Sequence, residues 1–144
     1  MATIAKSALV QHSADKMFAL VDNVAQYKEF LPWCGGSEEL SRTDDVVKAS
    51  VMIAHSGLNK KFTTLNRLQK NKIIEMNLID GPFKHLHGFW RFEALSDEAC
   101  KISLDLEYEF SNRLIGMALG PVFSQIANTL VDSFCQRAEA VYGH

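Results

Sequence analysis

The sequence predicts an α+β fold, a curved antiparallel sheet of about six or seven strands around one long C-terminal helix. Three observations predict it. Between Glu38 and Phe110 the apolar residues recur with period two, as on half-buried strands. The breaks between these runs are short and turn-rich, which favours antiparallel hairpins, since parallel crossovers need a dozen residues or more. From Ser111 onward the period lengthens to three or four, as on a buried helix face. Helices on one side of an antiparallel sheet make a two-layer α+β domain.

Thr3 to Gln11 reads as a first short strand. Ser13-Ala14-Asp15 then offers a capping oxygen and a carboxylate in the first turn of a helix. Met17, Phe18, Leu20, Val21 and Val24 supply its buried face. A second helical turn is expected over Val24–Phe30. Pro32 ends it by disfavouring a helical conformation at the residue before it, and Gly35-Gly36 is expected to turn the chain. Strands follow at Glu38–Arg42, Val46–Ala54, Leu58–Arg67, Lys72–Leu78, His85–Ala94 and Cys100–Phe110. Their separators include His55-Ser56-Gly57 and Asp80-Gly81-Pro82. The last strand alternates most cleanly, with Ile102, Leu104, Leu106, Tyr108 and Phe110 on one face. Gly88, inside a strand, is expected to mark a bulge or bend. Gly120-Pro121 is expected to kink or restart the final helix. Val122, Phe123, Ile126, Leu130, Phe134, Ala138 and Val141 form its apolar stripe. A bent sheet gripping one long helix leaves a space between the layers.

The chain has 144 residues, 47% hydrophobic and 22% charged, which suits a single domain over 1–144. At that length folding buries roughly 70% of the unfolded chain's surface, enough for a core without staples. Fifteen basic and seventeen acidic residues leave a formal charge of −2, which excludes a polybasic tail. No apolar run is read as reaching the roughly 18 residues that span a bilayer, and the start lacks a secretory pattern. Cys34, Cys100 and Cys135 are odd in number and far apart, so a reduced, cytoplasmic protein is expected.

Three segments carry a family resemblance: Tyr27-Lys28-Glu29-Phe30-Leu31-Pro32-Trp33-Cys34; Asp80-Gly81-Pro82-Phe83 with Leu86, Gly88, Trp90 and Phe92; and the ending from Phe110 through the long helix. In this order they resemble the coenzyme Q-binding branch of the START/polyketide cyclase superfamily. The resemblance is closest to its bacterial members, the ribosome association toxins, and covers nearly the whole chain. It implies the helix-grip (START-like) fold, in agreement with the periodicity. It implies two functions. Eukaryotic members bind ubiquinone and support respiration; bacterial members bind the large ribosomal subunit and block subunit joining, inhibiting translation.

Two sets of candidate residues follow. The first is an apolar ligand cavity between sheet and helix, for ubiquinone or a related lipid. Phe30, Leu31, Trp33, Phe83 and Trp90 are assigned to it from the matching motifs. Met52, Ile74, Met76, Leu78, Leu104, Leu106, Tyr108, Phe123, Ile126 and Leu130 are assigned from periodicity. Flat aromatic and deformable Met side chains suit such walls. Phe30, Leu31, Trp33 and Phe83 are also candidates for peripheral membrane contact. The second set is a ribosome-facing or anion-binding surface of Lys60, Lys61, Arg67, Lys70, Lys72, Lys84 and Arg91. Against Glu75 and Asp80 these give the segment +5, leaving −7 for the remainder of a chain that totals −2. No DNA partner is expected. No G-x-S-x-G elbow, H-E-x-x-H or phosphate loop is present, so no catalytic residue, metal or required cofactor is assigned. His85 and His87 are read as solvent-facing, and Cys34 as a packing thiol.

Overall fold

Ser13 turns the chain from a strand into a helix. In a computed structural model, which describes residues 1–143, β1 runs over Ala2–Val10 and α1 over Ala14–Asp22. The Ser13 hydroxyl accepts from the Lys16 amide at 3.4 Å, one of the amides a helix start leaves unpaired. Ala14, Met17, Phe18 and Val21 bury one face. A 3-10 helix follows over Val24–Glu29, and Pro32 keeps Leu31 from prolonging it.

Six further strands are β2 (Cys34–Arg42), β3 (Val46–His55), β4 (Leu58–Gln69), β5 (Ile73–Asp80), β6 (Phe83–Ser96) and β7 (Ala99–Phe110). The final helix, α2, spans Arg113–Tyr142. The seven strands form one antiparallel sheet in the order β1-β7-β6-β5-β4-β3-β2. Consecutive hairpins run from β2 to β7, and β1 adds to the far side of β7, with Ala2 opposite Tyr108 and Val10 opposite Cys100. Ile102, Leu104, Leu106 and Tyr108 of β7 are buried, whereas Lys101 and Asp105 of the alternate row are exposed. The same inner face carries Ile53, Ile74, Trp90 and Phe92 against Leu119, Phe123, Ile126, Val131, Phe134 and Ala138 of α2. Each such large apolar side chain contributes about 1.5–3 kcal/mol by leaving water.

Four expectations are corrected. Gly35-Gly36 do not turn the chain; they lie inside β2, where the pairing with β3 shifts register between Cys34 and Gly36. Gly88 makes no bulge. It pairs in register with Met76 and Leu106, and the shifts in the β6–β7 ladder fall at Phe83/His85 and Ala94/Ser96. Glycine is required there by close approach, since a Cβ would stand 2.7 Å from the Asp105 carbonyl oxygen. α2 does not restart at Gly120-Pro121 but runs through, about 45 Å long at about 1.5 Å per residue. Pro121 is exposed, so the carbonyl it leaves unbonded faces solvent. Finally, residues 114–131 contain no charged side chain, and α2 is long and apolar enough to cross a membrane, with 28% of that stretch buried. Ser, Asn, Gln and Thr interrupt the stretch and mask its length.

Candidate functional site

Between the inner face of the sheet and α2 lies a cavity of about 90 Å³. Its floor is Ala49 and Val51 of β3, Phe62, Thr64 and Asn66 of β4, Met76 of β5, Leu86 and Trp90 of β6, and Leu104 and Leu106 of β7. Phe123, Ile126, Ala127 and Leu130 of α2 roof it, and Val24, Tyr27 and Trp33 close one side. The small side chains of Ala49 and Ala127 help keep the layers from filling the space between the larger residues. A second, outward-facing groove of about 230 Å³ is lined by Pro32, Trp33, His55, Val122, Gln125, Ile126, Thr129 and Ser133. Trp33 and Ile126 belong to both and form the partition between them.

Of the fifteen cavity residues expected from sequence, eight line it: Trp33, Met76, Trp90, Leu104, Leu106, Phe123, Ile126 and Leu130. Phe30 instead packs edge-on against Phe134 at 5.5 Å, with the Arg137 guanidinium 4.8 Å from its ring centre. Leu31 and Ile74 are buried in packed core rather than on the lining, and Leu78 is a half-buried neighbour of that core. Phe83 and Tyr108 sit behind Phe123, at 5.0 and 4.7 Å between ring centres, in an aromatic cluster with Phe62 and Phe110. Met52 faces away, into an outer-surface cleft with Lys28, Ser37, Glu38, Ser50 and Lys61, because it alternates with the buried Val47, Ala49 and Ile53. The proposed membrane-touching cluster is also corrected: Leu31 and Phe83 are buried, and the exposed apolar side chains include Leu114 and Met117 of α2.

Sequence reasoning missed Val24, Tyr27, Ala49, Val51, Phe62, Thr64, Asn66, Leu86 and Ala127. The period-two rows Phe62-Thr64-Asn66 and Leu86-Gly88-Trp90 carried the signal. Thr and Asn in an inward row read as polar and hid it.

The cavity offers little acid–base chemistry. The Tyr27 hydroxyl donates to the Val21 carbonyl, and burial, with nearby Asp22 and Cys34, holds the phenol well above its usual range. The Thr64 hydroxyl donates to Asn66 Oδ1 at 2.9 Å. Cys34 donates its thiol to the Gly36 carbonyl at 3.2 Å, and burial raises its pKa. Burial pushes the Cys100 thiol up to about 11. Protonated thiols are weak nucleophiles.

The seven candidate basic residues do not make one patch. Lys60, Lys61 and Lys84 lie toward the β3–β4 and β5–β6 turns, whereas Arg67, Lys70 and Lys72 surround the β4–β5 turn at the opposite end, with Arg91 beside them. Lys61 pairs with Glu38 at 3.6 Å, Lys84 with Glu109 at 3.5 Å, and Arg91 with Asp105. Arg67 stands opposite Glu75. Lys60, Lys70 and Lys72 have no ion pair among the described residues. His85 and His87 are partly exposed and hydrogen-bond Glu107 and Glu75, each at 3.0 Å. The His87 bond holds the Glu75 carboxyl below its ordinary value. Among the described residues no trio of His, Cys, Asp or Glu is arranged to hold a metal.

Known proteins resemble this arrangement in sequence and in shape. The chain is 47% identical over 140 residues to a Pseudomonas aeruginosa protein named ribosome association toxin RatA, covering 97% of each. It is 46% identical over 143 residues to the protein of that name from Vibrio cholerae, covering 99% of each. A mitochondrial coenzyme Q-binding protein of Schizosaccharomyces pombe is 26% identical over 140 residues, covering 92% of this chain and 84% of that one. Among solved structures, the Zhui aromatase/cyclase of a Streptomyces superposes with a TM-score of 0.82 at 16% identity, over 96% of this chain and 93% of that one. An 18 kDa protein of Caulobacter crescentus superposes with a TM-score of 0.76 at 29% identity over the whole of both. The sequence model for polyketide cyclase/dehydrase and lipid transport proteins matches residues 10–135, and with seven strands gripping a long helix over an apolar hollow, the chain belongs to that family.

Proposed function

We propose that this protein associates with the ribosome, binding the large subunit and hindering subunit joining. One observation carries the reading: the match to ribosome association toxins extends over nearly the full length of both chains at 46–47% identity. Such a role goes with a cytoplasmic address. Lys60, Lys70 and Lys72, free of carboxylate partners among the described residues, are the best candidates to meet phosphates. Sedimentation of the purified protein with separated ribosomal subunits at two salt concentrations tests this. Comigration with the large subunit at low salt, weakening as salt rises, is expected. No comigration at low salt refutes it.

A second reading has its own observation, the apolar cavity under α2. In this reading the hollow takes an apolar molecule, a quinone or a related lipid, as the name of the 26% identical yeast protein says of that protein. The chain would act as a carrier, without catalysis. A lining whose one phenol is already committed to Val21 supports that, as no acid–base pair among the described residues faces the hollow. Solvent extraction of the purified protein and titration with short-chain ubiquinones test it. Absence of both copurified lipid and saturable binding refutes it.

A further inference from the structure

Thr64 and Asn66 place polar atoms in an otherwise apolar hollow. Asn66 is 7% exposed and stands on the inward row of β4, opposite Val47 of β3 and Met76 of β5. Its Oδ1 is engaged by the Thr64 hydroxyl at 2.9 Å. Its Nδ2 carries two N–H donors and meets no acceptor among the described residues. The one described side-chain polar atom that is both sealed from space and unpaired is Arg137 Nε, so the Asn66 amide opens onto the hollow.

We infer that the Asn66 amide is the polar anchor of the cavity, donating a hydrogen bond to a carbonyl oxygen on an otherwise apolar ligand. The inference rests on the carrier reading and narrows its ligand class. An amide donor held among apolar side chains lacks the bonds it makes in water, and an arriving carbonyl restores one. Trp90, Leu104 and Phe123 then flank the apolar body of the ligand. Among the described residues no lysine, arginine or carboxylate lines the hollow, so a charged ligand would lose its hydration with nothing to replace it. The site thus selects neutral molecules with an acceptor oxygen, ketones and quinones among them, and gives a carboxylate no counter-charge.

Two isosteric probes test this: acetophenone, which presents a carbonyl, and isopropylbenzene, which does not. Affinities are measured for the natural protein and for a variant carrying Asn66→Leu and Thr64→Val, which removes both polar partners together. The substitution is expected to weaken acetophenone about tenfold, the range for an unmade buried hydrogen bond, and to leave isopropylbenzene unchanged or tighter. Equal changes for both probes, or no loss for acetophenone, overturn the anchor while leaving the carrier reading intact. Failure of both probes to bind the natural protein overturns the carrier reading and the anchor with it. Should the variant not fold, the side-chain amide resonances of Asn66 in the natural protein decide. They move farther downfield with acetophenone than with isopropylbenzene if the anchor is real, and respond alike to both if it is not.

Discussion

Replacing Ala127 by leucine separates the two functional readings. Ala127 is 1% exposed and roofs the cavity from α2. Leucine adds three carbons. They enter the hollow of about 90 Å³ that Ala127 roofs. Burying three such groups contributes about 2.4 kcal/mol at about 0.8 kcal/mol each. Pressing them against Trp90 and Leu104 costs about 1–3 kcal/mol in strain. Leucine is nearly as good a helix former as alanine. The net change in stability therefore lies between about 0.6 kcal/mol lost and about 1.4 kcal/mol gained, a shift in Tm of no more than about 6 °C for a chain of this size. Binding of an apolar probe, by contrast, falls at least tenfold, because the space it needs is occupied. Cosedimentation with the large ribosomal subunit is unchanged where docking uses the surface alone. Urea unfolding, probe titration and sedimentation check the three outcomes. A destabilisation beyond about 3 kcal/mol would refute the idea that free space exists there, and undiminished probe affinity would place any ligand elsewhere.

Gly88→Ala forces a Cβ to within 2.7 Å of the Asp105 carbonyl oxygen, so β6 and β7 must part; a loss of about 2–3 kcal/mol is expected by urea unfolding, and less than about 1 kcal/mol refutes the close approach. Trp90→Ala removes a side chain only 2% exposed and enlarges the cavity, at a cost of about 3–5 kcal/mol. Because burial pushes the Cys100 thiol up to about 11 while an unfolded thiol ionises near about 8.5, its contribution is fully present below the lower value. That contribution is lost as pH rises toward the higher one. Cys100→Val should make the alkaline decline in stability shallower, and an identical decline refutes this. Removing Lys70 and Lys72 together should reduce the salt dependence of ribosome binding by up to about two phosphate contacts, with Lys84→Ala, whose cation already pairs with Glu109, having the smaller effect.

The strand and helix pattern was legible because one physical rule governs it: an apolar interior imposes period two on β7 and period three to four on α2, and residues such as Leu104 and Ile126 obey it. The cavity lining was half legible for the same reason. Periodicity tells which row faces inward but not where along the row two layers fail to meet. Ile74 and Met76 share the inward row of β5, yet only Met76 borders the hollow, because that depends on Ala49 and Ala127 far away in sequence. Met52 was assigned against the parity of its own strand, where Val47, Ala49 and Ile53 are the buried set. The basic surface failed differently. Counting charge along Asn59–Arg91 ignored cross-strand partners, and Glu38, Asp105 and Glu109 neutralise three of the seven cations from strands outside that segment.

Size links the two readings. A cavity of about 90 Å³ is smaller than the roughly 150 Å³ hollow that holds benzene in an engineered core. A ligand the size of a quinone head therefore enters only if Trp33 and Ile126 part and join the hollow to the outer groove of about 230 Å³. Ile126 sits on α2 beside Gln125, Thr129 and Ser133, which face that groove. A ligand large enough to part Trp33 and Ile126, unlike a side chain that only fills the hollow, shifts the outward face of α2 around Ile126, and a ribosome touching that face as well as Lys60, Lys70 and Lys72 would read the occupancy of the cavity. Saturating ligand is expected to move the salt concentration at which the protein leaves the large subunit. An unmoved midpoint would mean that the hollow and the docking surface act independently, whatever the cavity holds.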